Sequence, residues 1–174
     1  RKVNDLLHTK LNVSFDWQNL ELDGVATLTL KPWFYPTSRL ILDAKNMLIH
    51  NVRMVADSTF DLVYTYDNAY LDIQLSRTFS RFEKYTVEIE YTARPEMNVG
   101  GSDAITSAKG LYFINADSSD VNKPTQVWTQ GETEASSCWF PTIDSPNERM
   151  SQEIFIRVRK DFITLSNGSL VYSD

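Results

Sequence analysis

The sequence predicts an all-β domain, an antiparallel β-sandwich or saddle with one wet face. Apolar and polar residues alternate with period two along several segments, turn residues punctuate those segments at short intervals, and no stretch carries a useful amphipathic helical repeat.

The alternation begins at once. In LLHTKLNVSFDW, Leu7, Leu11, Val13, Phe15 and Trp17 are apolar while His8, Lys10, Asn12, Ser14 and Asp16 are polar, which is the pattern of a half-buried strand. VATLTL (25–30), RLILDA (39–44), NVRMV (51–55), FDLVYTY (60–66) and YLDIQL (70–75) follow as strands. In KYTVEIEY, Tyr85, Val87, Ile89 and Tyr91 face one way and Thr86, Glu88 and Glu90 the other. Asp23-Gly24, Pro36, Asp43, Asp67-Asn68 and Arg94-Pro95 mark the turns. After Tyr91 the regularity fails, and 94–109 and 115–124 read as long loops. QEIFIRVR (152–159) returns to alternation with Ile154, Ile156 and Val158 on a core face; Phe155, on the other face, expects a cover. Finally, Asn167-Gly168 between Ile163 and Leu165 and between Leu170 and Val171 is a two-residue hairpin signal. A hairpin cut so close to Asp174 predicts that the natural chain continues and that this domain lacks its last strands, leaving an unpaired edge.

A length of 174 residues suits one domain with its own core, taken as residues 1–174. The formal net charge of -6 and the scattered Lys and Arg argue against nucleic acid as a partner, since its binders carry a basic stripe. Arg157, Arg159 and Lys160 form the densest basic group, and they read as a solvated face. No run approaches the roughly 20 apolar residues that span a bilayer, and RKVNDLLHTK lacks the apolar core of a signal peptide. A soluble protein is expected, either cytoplasmic or exported after loss of a signal. Cys138 is the only cysteine, so no internal disulfide forms, and its expected role is that of a small buried side chain.

Chemistry is harder to find. A hydrolytic zinc site needs three protein ligands, usually with two histidines among them, and this chain has only His8 and His50, on separate strand-like segments without an H-E-x-x-H helix. Phosphate-cradling loops, dinucleotide fingerprints and G-x-S-x-G are absent; Gly100-Gly101 with Gly110 has neither the spacing nor the helix. Asn12 and Asn167 each open an N-x-S acceptor that matters only in a secreted eukaryotic protein. The unusual segment is TQGETEASSCWFPTIDSP (129–146), which is irregular yet rich in aromatic and ionisable residues, as working loops often are. Glu132 and Glu134 stand two apart, so on an extended backbone they diverge rather than cooperate. One positioned carboxylate can instead pair with a substrate ammonium, although composition alone favours a solvated loop acid.

Several motifs in order resemble the N-terminal domain of the aminopeptidase N family of zinc metallopeptidases, which includes leukotriene hydrolase. DLLHTKLNVSFDWQNLELDGVATLTL is similar to the family's opening strands, and KGLYF (109–113) to its G-L-Y element. TQGETEASSCWFPTIDSP is similar to the T-Q-x-E segment with its later F-P and D-x-P, and QEIFIRVRKDFITLSNG to the closing strand and L-S-N turn. The resemblance covers nearly the whole chain.

It implies a β saddle that packs on a separate catalytic domain, with the T-Q-x-E loop as one wall of the active-site cleft. Glu132 then falls on the position that holds the free α-ammonium of a peptide substrate, and Gln130 on a position lining the pocket for its first side chain. Trp139, Phe140 and Pro141 would stiffen the loop, and Asp144 with Pro146 would fix a turn. Zn2+, the catalytic base and the G-x-M-E-N strand are expected in the catalytic domain outside this chain, so the domain alone is expected to be inactive. Ala135-Ser136-Ser137-Cys138 and Asp144-Ser145-Pro146 depart from the family's D-A-R-R and D-E-P runs, which leaves substrate preference open; few positive charges in the loop favour neutral or basic first residues. Two alternatives stand beside this reading. One is a non-catalytic scaffold, as in a relative within a general transcription factor complex. The other is an unrelated β-sandwich binding carbohydrate or protein through Trp33, Trp128 and Trp139, for which burial in the core is the competing expectation.

Overall fold

The computed structural model describes residues 2–98 and 108–173. Eleven strands follow one another among these residues: β1 (Asn4–Asp16), β2 (Glu21–Pro32), β3 (Thr37–Asp43), β4 (Met47–Val55), β5 (Phe60–Asp61), β6 (Val63–Tyr66), β7 (Tyr70–Phe79), β8 (Tyr85–Ala93), β9 (Leu111–Ile114), β10 (Gln126–Thr129) and β11 (Ser151–Arg157). The only helical pieces among the described residues are two 3-10 turns, Pro95–Met97 and Ser136–Cys138.

A six-stranded sheet in the order β11-β1-β2-β8-β4-β5 packs against a three-stranded sheet, β3-β7-β6, and a β9-β10 ribbon flanks them. Period-two burial makes this a sandwich. Leu22, Ala26, Leu28 and Leu30 of β2 and Tyr85, Val87, Ile89 and Tyr91 of β8 point inward to meet Leu40 and Leu42 of β3 and Leu71, Ile73 and Leu75 of β7. Each such buried side chain contributes on the order of 1.5–3 kcal/mol through the water it sheds, so one continuous core stabilises both layers.

Five sequence expectations are corrected. Leu7 does not face the core: β1 bulges there, Leu6 pairing Leu30 and His8 pairing Thr29, so Leu6 is fully buried and Leu7 only half-buried. The extra residue shifts the inward parity from even to odd, which is what a β-bulge does. Asp23-Gly24 is not a turn but lies inside β2 opposite Thr92 and Tyr91; the chain reverses earlier, through 17–20. FDLVYTY is not one strand. β5 pairs with β4 in the large sheet and β6 with β7 in the small one, and Leu62, buried between them, marks where the chain changes layer.

The sheet is also not wholly antiparallel, because β11 runs parallel to β1 from His8↔Ser151 to Ser14↔Arg157. Ile154 and Ile156 do pack on the core as expected, Val158 lies past the strand end, and Phe155 remains 49% exposed beneath the Lys10 ammonium. Lastly, Asn167-Gly168 forms no hairpin. No residue from 158 to 173 is in a strand, and Ile163, Leu165, Leu170 and Val171 all lie in solvent. An isolated hairpin is marginal without a sheet to join, and none is offered here.

Of the loops read at 94–109 and 115–124, residues 99–107, including Gly100-Gly101, lie outside the described residues. The second loop connects β9 to β10 and is ordered from within. Asn115 donates its amide to the carbonyls of Asp120 and Lys123 and accepts from the Asp120 N–H at 3.0 Å.

Candidate functional site

The segment 129–146 starts where the β9-β10 ribbon ends. Strands of four residues leave little periodicity to read, and neither was expected as a strand; they hold together through their ladder and the stacking of Tyr112 on Trp128 at 4.6 Å. One more bond, from the Gln130 N–H to the Gly110 carbonyl at 2.9 Å, extends the ribbon past its last pair. The chain then turns. The Ala135 N–H reaches back to the Gly131 carbonyl at 3.0 Å, and the 3-10 turn follows, with the Phe140 N–H bonded to the Ser136 carbonyl.

Apolar anchors drive this turn inward. Ala135, Cys138 and Phe140 are buried, Phe140 joins the main core, and Trp139 meets it edge-on at 4.5 Å. The expected stiffening role of Trp139, Phe140 and Pro141 is therefore physical packing. Gly110 makes room for it: its φ is +71°, and a Cβ there would lie 2.0 Å from the Ala135 carbonyl oxygen.

Polar pins complete the arrangement. Asp43, the last residue of β3, exchanges two backbone hydrogen bonds with Thr142 at 2.8 and 3.0 Å, and its carboxylate accepts from the Asp144 N–H at 2.9 Å. Asp144 in turn accepts from the N–H and hydroxyl of Ser137. Lys45 closes the set, donating its backbone N–H to the Ser137 carbonyl at 2.8 Å and its ammonium to the Glu134 carbonyl at 2.6 Å. The turn role expected for Asp144 is thus realised as a clamp. Lys45, Asp43, Ser137 and Gly110 escaped the sequence reading as parts of this site; Lys45 and Glu134 are 89 residues apart, and no local pattern links them.

The outcome is an exposed tip on a fixed base. Residues 131–134 are exposed and Gln130 is half-buried. Among the described residues, the Glu132 carboxylate takes part in no hydrogen bond or ion pair, so it is available to an external donor. Gln130 and Glu132 are brought to the same tip, two residues apart; Glu134 shares the turn, where the extended geometry expected for the pair does not occur. Cys138 behaves as a buried apolar group: its thiol donates to the Ala108 carbonyl, and burial pushes its pKa up to about 11, against the smaller opposing pull of Lys45. It stays a thiol at neutral pH and is a poor nucleophile.

Residues 6–174 match the Peptidase M1 N-terminal domain. The chain belongs to this family. Solved structures agree on the fold. This M1 N-terminal domain is similar to the M1 zinc metallopeptidase from Deinococcus radiodurans, with a TM-score of 0.71 and 16% identity over 89% of this chain and 32% of that one. It is also similar to a mutant two-domain M1 zinc metallopeptidase bound to L-arginine, at TM-score 0.72 and 16% identity, covering 90% and 33% of the two chains. The native yeast LTA4 hydrolase aligns at TM-score 0.66 and 22% identity over 89% of this chain and 23% of its own. The chain therefore spans about a third or less of these relatives. No curated protein sequence matches it.

His8 shares a 2.8 Å hydrogen bond with Ser151 and His50 one of 2.9 Å with Thr92, and among the described residues no three His, Cys, Asp or Glu side chains converge. No described helix is long and apolar enough to cross a membrane.

Proposed function

We propose that this M1 N-terminal domain supplies the substrate-amine anchor of a zinc aminopeptidase whose catalytic domain, with its Zn2+, lies outside residues 1–174. Glu132 accepts charge-assisted hydrogen bonds from the free α-ammonium of a peptide, and Gln130 lines the pocket for the first side chain. The observation that carries this reading is the exposed Glu132 carboxylate on a tip whose base is pinned by Lys45, Asp144 and Gly110. A carboxylate on a pinned backbone is worth more to a ligand than one on a mobile loop, because the cost of ordering the backbone is met in folding rather than in binding. By fixing the amine, the domain would also set the distance to the bond that is cleaved and so disfavour internal cleavage. Isolated, the domain would be inactive.

The test uses the full-length protein. Glu132→Ala should lower kcat/KM for a free-amine peptide about 10- to 100-fold, the worth of a charge-assisted hydrogen bond. The same peptide with an acetylated amine should be cleaved equally poorly by both forms. An Ala variant that keeps full preference for the free amine would sink the assignment of Glu132.

A further inference from the structure

The end of the sandwich away from Glu132 carries an exposed aromatic cluster that the proposed function does not use. Strand register places it. Asn4 pairs with Pro32, Leu30 with Tyr85 and Thr37 with Phe79, so the chain start, the β2-β3 connection and the β7-β8 turn share one end. The 129–146 loop is tied to Asp43 and Lys45, at the opposite end of β3. The length of β2 separates the two ends, on the order of 35 Å for a strand of this size.

At this end Trp33, Phe34 and Tyr35 follow one another at 50, 56 and 61% exposure, and Phe82 is 86% exposed. Three consecutive aromatic side chains in water are costly, and aromatic groups with one face wet mark binding surfaces more often than bare turns. Trp33 was expected in the core; instead it lines an open groove of about 420 Å3 with Lys2, Val3 and Thr37.

The charges around it identify the partner. The Lys2 ammonium lies 4.6 Å from the Trp33 ring, and the Arg81 guanidinium sits 5.3 Å from both Phe34 and Phe82. Asp5 and Glu148 are engaged by Lys2, and Glu83 by Arg77. Arg81 and Lys84 have no acidic partner among the described residues. This end is therefore cationic in a chain whose net charge is -6. Carbohydrate platforms pair aromatic rings with amides and acids that bond hydroxyls, whereas Asp5, Glu148 and Glu83 at this end are already engaged by Lys2 and Arg77. The pairs that Lys2 and Lys31 make with Asp5 and Glu148 leave Arg81 and Lys84 as the cations free to act, and exposed rings beside such cations are complementary to an anionic lipid surface, where the rings enter the headgroup region and the cations meet phosphate and carboxylate.

We propose that Trp33, Phe34, Tyr35 and Phe82, with Arg81 and Lys84, form a peripheral docking surface for anionic phospholipid membranes. Docking through this end leaves the Glu132 tip facing away from the lipid. The proposal does not require the aminopeptidase reading.

Flotation of the full-length protein with phosphatidylcholine vesicles, with and without phosphatidylserine, tests it. Binding should require phosphatidylserine and weaken as salt is raised. Arg81→Ala should weaken it about fivefold, and Trp33→Ala combined with Phe34→Ala at least about tenfold, while hydrolysis of a soluble peptide is unchanged. Circular dichroism melts of the variants separate loss of docking from loss of fold, and the salt dependence of the unmodified protein reads the surface without any variant. No flotation, flotation indifferent to phosphatidylserine, or flotation untouched by the aromatic substitutions overturns the proposal. Binding of neutral oligosaccharide at the same residues would replace lipid by glycan. Vesicle binding in a protein without peptidase activity would leave this surface standing and remove the function proposed for Glu132.

Discussion

Ser137 directs two hydrogen bonds at a single carboxylate oxygen of Asp144, its backbone N–H at 2.9 Å and its hydroxyl at 2.7 Å. The pair spans seven residues and closes 137–144 into a compact lobe directly after the tip that carries Glu132. Because Ser137 is fully buried, neither donor has water as a substitute. Asp144→Ala should therefore destabilise the domain by about 2–3 kcal/mol, and amides 135–140 should exchange hydrogen faster. Asp144→Asn keeps one acceptor and should cost less. Equal denaturation midpoints for all three proteins would show that the clamp is not stabilising.

Gly110 is the backbone counterpart of that clamp. Gly110→Ala combines a left-handed φ of +71° with a Cβ driven into the Ala135 carbonyl. A loss of more than about 2 kcal/mol is expected in chemical denaturation, together with altered chemical shifts across 131–138. If the alanine variant were as stable as the parent, the close approach of β9 to the turn would be wrong.

Two core tyrosines should respond in opposite directions to the same change. Tyr91 is buried against Gly24, and its hydroxyl finds no partner among the described residues, whereas the Tyr85 hydroxyl donates to Asn4 Oδ1 at 2.7 Å. Burial pushes both phenol pKa values up, so each stays neutral through physiological pH. Tyr91→Phe should stabilise by up to about 1 kcal/mol, and Tyr85→Phe destabilise by about 1 kcal/mol. Thermal melts of the two variants decide it, and shifts of the same sign would contradict the geometry.

The β7-β8 turn carries the clearest titration. Glu83 accepts from the Ser80 N–H at 2.9 Å and pairs with Arg77 at 2.8 Å, which holds its pKa at about 2 against an ordinary 4.5. A carboxyl depressed in the folded state contributes stability above its ordinary value and loses it as pH falls towards the folded one. The contribution should thus be complete above pH 4.5 and fade between 4.5 and about 2. The Glu83 carboxyl resonance followed by NMR should show its midpoint at about 2 in the folded protein, with the Ser80 amide moving in step. A midpoint near 4.5 would mean that the turn is open in solution.

Much of the fold was legible because period-two alternation is a local property. Tyr85 to Tyr91, and Ala26, Leu28 and Leu30 of VATLTL, bury the residues that the pattern names, since one inward face of a strand must be apolar whatever lies opposite. Alternation is silent on partners. That β11 lies parallel to β1, 143 residues away at His8 and Ser151, that Leu62 carries the chain from one layer to the other, and that the Asn167-Gly168 turn finds no sheet are outcomes of packing. The bulge at Leu7 shows the same limit, because a single extra residue reverses the parity without leaving a mark in the sequence.

The site divides along the same line. Sequence alone determined that Gln130 and Glu132 share one irregular segment that runs into the aromatic Trp139 and Phe140, because those residues are contiguous; that a strand leads into it was not legible. Only the tertiary structure decided what holds that tip. Asp43, Lys45, Gly110 and Asp144 come from separate parts of the chain, and a buried donor accepts whichever partner the assembled layers bring within reach.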